Sequence, residues 1–125
     1  MIFGIGTDIV AIARLADMYQ RHGERLLEKV LSFAEREDCL KATDPGRFLA
    51  KRFAAKESFG KALGTGIRSP ALMPDIAVAH DDLGKPFFEF APRLAAYLTE
   101  HKLIAHLSLS DEKDTAIAFV ILEQR

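Results

Sequence analysis

The 125-residue sequence has a single cysteine, almost no net charge and no long apolar run. Because Cys39 is alone, an internal disulfide framework and a multi-cysteine zinc site are excluded. The net charge of −1 is unlike the strong basic excess of proteins that coat DNA, so we expect no nucleic-acid partner. No stretch approaches the roughly 18–20 apolar residues of a membrane span, and the start MIFGIGTDIV lacks the basic region of a secretory signal. We therefore expect a cytoplasmic protein without a membrane partner.

Length and composition favour one globular domain over residues 1–125. Hydrophobic residues make up 49% and charged residues 28% of the chain, which is a balance typical of folded proteins. A chain of this size buries roughly two-thirds of the surface that its unfolded form exposes. It has, however, few secondary-structure elements with which to enclose a deep cleft. If it acts on a large substrate, we expect the site to be shared between subunits.

The first half of the chain carries clear start and stop signals. A β-branched apolar segment over residues 2–10 predicts a strand, and helical spacing follows over residues 11–22 until Gly23 ends or kinks the helix. Ser32 and Glu35 have the spacing of a capping box and predict the start of another helix.

The second half predicts two hairpins, one over residues 75–90 and one over residues 103–122, with a helix over residues 92–100 between them. The last strand, over residues 115–122, is apolar on both faces, which favours a central position in a sheet. Strands and helices mix without strict β-α-β alternation. We therefore expect an α+β fold with a mostly antiparallel sheet packed against a long helix.

The first predicted strand places Gly4, Gly6 and Asp8 on one face, because side chains alternate along a strand. Glycine within a strand often marks the close approach of another backbone or of a ligand. Asp8 therefore either faces a site or, in the simpler interpretation, only ends the strand and caps the next helix.

The long helix is predicted to begin at Asp44-Pro45 and to end at Leu63, where Gly64 closes it. Glu57 and Lys61 share a face of it with small alanines, which would let a ligand or a strand approach closely. Their spacing is equally that of an exposed helical ion pair. Arg52 and Lys56 fall inside the apolar arc, where they either extend to solvent or reach an anion at its edge.

Asp8 and Glu57 together suggest a site for a hard cation, because two carboxylates suit Mg²⁺ bound jointly with substrate phosphates. The turn from Gly64 to Gly66 could offer free backbone N–H groups to a phosphate, with Lys61 supplying positive charge. A helix cap is the alternative role for this turn.

Two further patterns have both a functional and an ordinary interpretation. His106 belongs to a polar strip that either lines a site or forms the solvent face of a strand. Arg14, Met18, Arg21 and Arg25 form one stripe if the first helix continues past Gly23. Such a stripe fits an acidic amphipathic helix, but it is also typical of a solvated helix face.

Four segments in order resemble the holo-acyl-carrier-protein synthase family, the small bacterial type of 4′-phosphopantetheinyl transferase. They are GIGTDIV at 4–10, RFAAKESFGKALGTG at 52–66, LGKP at 83–86 and HLSLSDE at 106–112. The resemblance implies Mg²⁺-dependent transfer of the phosphopantetheine arm of coenzyme A to a serine of apo acyl carrier protein, with release of adenosine 3′,5′-bisphosphate. It also implies a role in fatty acid biosynthesis and a homotrimer with sites between subunits.

The resemblance implies a role for each candidate residue. Asp8 and Glu57 match the metal ligands, with Glu57 and Lys61 at the reacting phosphate. The coenzyme A contacts would be Arg52, Lys61, Gly64, Gly66 and His106, the last contributed by a neighbouring subunit. The surface that docks the carrier would comprise Arg14, Met18, Arg21 and Arg25. The base that takes the serine proton stays open between Glu57, another carboxylate and a metal-ordered water.

The sequence departs from the family pattern at two positions. Ser58 stands where a small apolar residue is common, and Asp111 stands where histidine often occurs. Two other functions remain compatible with the residues alone. A non-catalytic module that binds coenzyme A or a nucleotide would not need both carboxylates, and an interaction domain would use only the basic stripe.

Overall fold

The computed structural model describes residues 1–125 as five strands and five α-helices. The strands are β1 (Ile2–Ala11), β2 (Ile76–His80), β3 (Pro86–Phe90), β4 (Leu103–Asp111) and β5 (Thr115–Gln124). The helices are α1 (Ile12–His22), α2 (Glu24–Val30), α3 (Phe33–Lys41), α4 (Pro45–Leu63) and α5 (Pro92–Glu100), with a short 3-10 helix at Met73–Asp75. No helix combines the length and the apolarity needed to cross a bilayer.

The strands form two antiparallel sheets, which confirms the predicted α+β class. Three strands pair in the order β1-β5-β4, and β2 pairs with β3. The central position predicted for the last strand is confirmed, since β5 hydrogen-bonds to a strand on each side. The long helix α4 packs on one face of the three-stranded sheet.

Helix ends follow the local signals in the sequence. The Ser32 hydroxyl accepts from the N–H of Glu35, and the Glu35 side chain accepts from the N–H of Ser32, so the predicted capping box is present. The Asp44 carboxylate caps α4, which ends at Gly64 in the left-handed conformation.

Gly23 interrupts the first helical segment. Its φ of +56° separates α1 from α2, and such an angle favours glycine. The continuous helix on which a single basic stripe depended is therefore absent, and Arg25 lies on α2 rather than on α1.

The close approach suggested by the glycines of β1 is made by the backbone of α4. A Cβ atom on Gly4 would lie 2.0 Å from the carbonyl oxygen of Ala62, and one on Gly6 would lie 1.9 Å from that of Ser58. The space beside these glycines is therefore filled by the helix, and strand and helix meet without side chains between them.

The opposite face of the three-stranded sheet is apolar and uncovered. Ile5 and Ile9 of β1 are 59% and 66% exposed, and Phe119 of β5 is 43% exposed. We call this surface, with Ile117 of β5, the outer sheet face. Its apolar side chains are contiguous across paired strands, and a patch of this kind marks an interaction surface.

Candidate active site

Asp8 lies at the point where β1 passes the middle of α4. Strand and helix run in opposite directions, since Gly4 meets Ala62 and Gly6 meets Ser58. Two residues further along the strand, on the same face, Asp8 reaches the turn of α4 that carries Glu57. The Asp8 side chain is 18% exposed and does not cap a helix, because α1 has no side-chain cap.

Three charged groups act on Glu57: Asp8, Lys61 and Arg14. Burial raises the pKa of the Glu57 carboxyl above its usual range, and the negative charge of Asp8 raises it further. The positive charges of Lys61 and Arg14 act in the opposite direction. The guanidinium of Arg14 also lies 5.4 Å from the ring centre of Phe53, one turn before Glu57 on α4.

Lys61 pairs with Asp8 rather than with Glu57. Its Nζ donates to Asp8 Oδ1 at 3.1 Å and to the carbonyl oxygen of Thr7 at 2.9 Å. The exposed helical pair between Glu57 and Lys61 is therefore not formed. This contact leaves Glu57 without a salt bridge, beside a second carboxylate.

The two carboxylates suit a hard divalent cation. Asp8 raises the pKa of Glu57, because two nearby negative charges repel each other when both carboxyls are ionised. A cation between them would relieve that repulsion. No third histidine, cysteine or carboxylate side chain is placed to join them in holding a metal ion, so the remaining ligands would be water and phosphate oxygens, as Mg²⁺ prefers.

An apolar groove leads to Glu57. Its volume is about 460 Å³, and it lies between α1, α2, α4 and the segment over residues 67–74. The apolar side chains that line it include Met18, Leu26, Val30, Phe53, Ile67 and Met73, and Glu57 is its acidic residue. The groove therefore joins an apolar surface to Glu57.

The basic residues of α1 and α2 lie beside this groove. Met18 lines both the apolar groove and a neighbouring cavity of about 260 Å³ that contains Arg25. Arg25 thus stays near Met18 although Gly23 breaks the helix. Arg21 forms an exposed pair with Asp17 at 3.3 Å, so its charge is partly offset.

The prediction that the turn after α4 offers free N–H groups is wrong at both of its glycines. The N–H of Gly64 donates to the carbonyls of Gly60 and Lys61, and the N–H of Gly66 donates to that of Gly60. Both amides therefore cap the helix. Both glycines have positive φ and open space where a Cβ would be, so they can serve a ligand by leaving room for it.

The two cations in the apolar arc of α4 belong to a buried network that the sequence did not reveal. Arg52 Nη1 donates to Glu35 Oε2 at 2.9 Å and to the carbonyl of Val78 at 2.6 Å. Lys56 Nζ donates to Glu35 Oε1 at 2.6 Å. This corrects both interpretations of their position, since neither cation extends to solvent and the anion they meet is an internal carboxylate.

Arg52 also lines a basic cavity at the start of α4. The cavity has a volume of about 290 Å³ and contains Arg47 and Lys51 as well. Arg47 donates to Asp111 at 2.7 Å, and Lys51 lies 3.6 Å from it. Asp111, one of the two positions that differ from the family pattern, therefore has a structural role, because it joins β4 to α4.

At Ser58, the other position that differs from the family pattern, the hydroxyl is buried and donates to the carbonyl of Ala118.

His106 lies on the other side of the sheet from Asp8 and Glu57. It pairs with Ile121 of β5 and points to the outer sheet face, where its Nε2 lies 3.0 Å from Glu123 Oε1. Within one chain, the sheet separates it from the carboxylates.

A family model and related proteins match nearly the whole chain. A model of the 4′-phosphopantetheinyl transferase superfamily matches residues 4–120. The holo-acyl-carrier-protein synthase of Dechloromonas aromatica is 63% identical over 123 residues, which is 98% of this chain and 98% of that protein.

Two solved structures extend the agreement to three dimensions. The crystal structure of holo-acyl-carrier-protein synthase from Neisseria meningitidis has a TM-score of 0.95 and 44% identity, and covers 99% of this chain and 100% of that chain. The enzyme from Bacillus anthracis in complex with CoA (3′,5′-ADP) has a TM-score of 0.84 and 36% identity, over 100% of this chain and 99% of that chain.

Proposed function

Since the chain belongs to the 4′-phosphopantetheinyl transferase superfamily, as an enzyme of the holo-acyl-carrier-protein synthase type, we propose that it moves the 4′-phosphopantetheine group of coenzyme A to a serine of apo acyl carrier protein. Adenosine 3′,5′-bisphosphate is the other product, and the holo carrier serves fatty acid biosynthesis. The observation that carries the proposal is the meeting of Asp8, Glu57 and Lys61 at the end of the apolar groove.

Asp8 and Glu57 would hold Mg²⁺ together with pyrophosphate oxygens of coenzyme A. Bound there, the cation would stabilise the negative charge that develops on phosphate oxygens during transfer. The carboxylates of this chain suit the ion, because the charge of Asp8 acts on Glu57 and two carboxylates alone leave coordination positions for phosphate and water.

Lys61 and Glu57 act on the reacting atoms. The serine oxygen of the carrier forms a bond to the phosphorus that bears the pantetheine arm, while the bond from that phosphorus to the oxygen of the leaving bisphosphate breaks. Lys61 adds positive charge beside Asp8 and can turn to a phosphate. The serine proton would pass through one water to Glu57, the carboxylate that lines the groove, at the carboxylate oxygen that does not hold the cation.

The carrier protein would dock on α1 and α2. Acyl carrier proteins are strongly acidic. Arg25 lines the cavity next to Met18, Arg14 lies against Phe53 of the groove, and Arg21 follows Met18 by three residues on α1. An amphipathic acidic helix could place its apolar side chains in the groove and its carboxylates against these cations. A serine close to that helix would then reach Glu57.

Coenzyme A would lie between two copies of the chain, in a homotrimer assembled through the outer sheet face. Arg52 and Lys61, with the space left by Gly64 and Gly66, would contact it from one copy, and His106 would contact it from the next. Two observations support this assembly: the apolar outer sheet face is uncovered in one copy, and His106 lies on it.

The proposal is tested by incubating the protein with coenzyme A, Mg²⁺ and a competent apo carrier, and following the mass of the carrier. We expect a gain of one phosphopantetheine group, no gain with excess chelator, and loss of transfer on Asp8→Asn. Coenzyme A binding without any transfer would instead favour a non-catalytic binding module. A protein that binds the carrier but not coenzyme A would favour an interaction domain.

A further inference from the structure

Beneath the apolar groove lies a buried lysine whose contacts the transfer chemistry does not use. The Lys56 side chain is fully buried, and its three N–H bonds are all taken. Besides Glu35 Oε1, its Nζ donates to the carbonyl oxygens of Val30 at 2.6 Å and of Met73 at 2.9 Å. A buried cation is costly unless it is fully partnered, and Lys56 meets that condition.

Val30 and Met73 belong to two segments that both line the apolar groove and contact each other, α2 and the 3-10 helix, which we call the two walls. Val30 is the last residue of α2, and Met73 begins the short 3-10 helix. No hydrogen bond joins α2 directly to residues 71–75. The ammonium of Lys56 is therefore the hydrogen-bonding link between the two walls, in addition to their direct packing.

Glu35 fixes Lys56 in place. Its Oε1 also accepts from the N–H of Ser32, and its Oε2 accepts from Arg52 and from the N–H of Val78. The carboxylate thus joins α3, α4 and β2 under the groove.

Stability alone is a weak reason for this arrangement, because replacing a buried ion pair by apolar side chains of similar volume is often neutral or stabilising. What an apolar pair could not do is bind two backbone carbonyls on separate segments at fixed distances. Lys56 also lies next to Glu57 in α4, so the walls are positioned from the same helical turn that carries the reacting carboxylate.

We propose that Lys56, held by Glu35, is a positioning residue that sets the width of the apolar groove and so determines how the carrier protein places its serine at Glu57. The inference rests on the proposed function for the identity of the occupant. The link between the walls is tested independently of any activity.

The test compares the full-length protein with Lys56→Met, which keeps the length of the side chain and removes its donors. Spin labels on Lys29→Cys and Leu72→Cys report the spacing of the two walls, and the buried Cys39 stays unlabelled. We expect a longer or broader distance distribution in the variant. The carrier KM should rise about tenfold, while the coenzyme A KM stays within about twofold. Lys41→Met, which removes an exposed lysine on α3, is the matched control and should change neither.

If Lys56→Met does not fold, Glu35→Asp replaces it, since it keeps the charge but shortens the carboxylate that holds Lys56. The wall spacing and the carrier KM should change in the same direction in smaller measure, whereas the coenzyme A KM is compared only for Lys56→Met, because Glu35 also holds Arg52. An unchanged wall spacing, or equal effects on both KM values, would overturn the proposal. If the unmodified protein transfers nothing, the proposed function fails, and the distance measurement still decides whether Lys56 links the walls.

Discussion

Replacing Gly6 by alanine would place a methyl carbon 1.9 Å from the carbonyl oxygen of Ser58 and 2.8 Å from the amide nitrogen of Ala62. Both atoms belong to the backbone of α4, so no side chain can rotate away. The strand or the helix must move by more than 1 Å to restore ordinary contact, and both are held in the core.

Overpacking of this kind costs typically about 1–3 kcal/mol, and the absence of a flexible neighbour places Gly6→Ala at the upper end, about 3 kcal/mol. For a domain of this size the melting temperature should fall by roughly 10 °C. The shift also moves Asp8, two residues along the same strand. We therefore expect transfer activity to fall at temperatures where the variant is still folded.

The measurement is urea unfolding of Gly6→Ala and of a matched control, with transfer activity measured at 20–25 °C on both. Gly84→Ala is the control, because Gly84 has a φ of +86° but open space around its Cβ position. It should lose about 1–2 kcal/mol from backbone strain alone and keep full activity. A Gly6→Ala protein as stable and as active as the control would refute the packing of β1 against α4.

Three other changes test the site and the buried network. Arg14→Glu should raise the carrier KM and reduce its salt dependence without changing the coenzyme A KM, and an unchanged carrier KM would exclude docking on α1. Lys61→Met should lower kcat about 100-fold or more by removing positive charge from the reacting phosphate, whereas a loss confined to the carrier KM would contradict this role. Burial raises the pKa of Glu35, but Lys56 and the hydrogen bonds to it hold that pKa below 4.5. The stability contributed by Glu35 is therefore present above pH 4.5 and is lost as the pH falls through its folded pKa. Urea unfolding between pH 2 and 6 should show a weaker pH dependence for Glu35→Gln, and identical slopes would contradict the network.

The local elements could be predicted because their signals lie within a few residues of one another. The Ser32 capping box, the start of α4 at Asp44 and its end at Gly64 all depend on contacts across one helical turn. The central strand was predictable for a related reason, since its apolar residues on both faces require cover on both sides.

The buried network could not be predicted, because its partners are far apart in the sequence. Glu35 was interpreted as part of a helix cap, which it is, but its second oxygen meets Arg52 and Val78, which are 17 and 43 residues away. The same limit applies to the glycines of β1. Their pattern indicated a close approach, and only the fold identifies the approaching group as the backbone of α4.

The candidate site could be predicted in part. Asp8, Glu57 and Lys61 were singled out from residue type and spacing, and the structure brings them together. The docking stripe was only partly predictable, since its continuity depended on whether Gly23 ended the helix. His106 was recognised as part of a polar strip, but the face that it occupies follows from strand pairing.

That each transfer site is built from two copies of the chain is tested most directly by mixing two inactive variants. Asp8→Asn removes one side of the site and His106→Ala the other. After the subunits exchange, about one quarter of the sites in an equal mixture should combine an intact Asp8 with an intact His106, because the pairing at a head-to-tail interface is random. Transfer to the apo carrier should therefore recover to about a quarter of the unmodified rate. A mixture that stays as inactive as its components, although mass measurement shows mixed oligomers, would contradict a site shared between subunits.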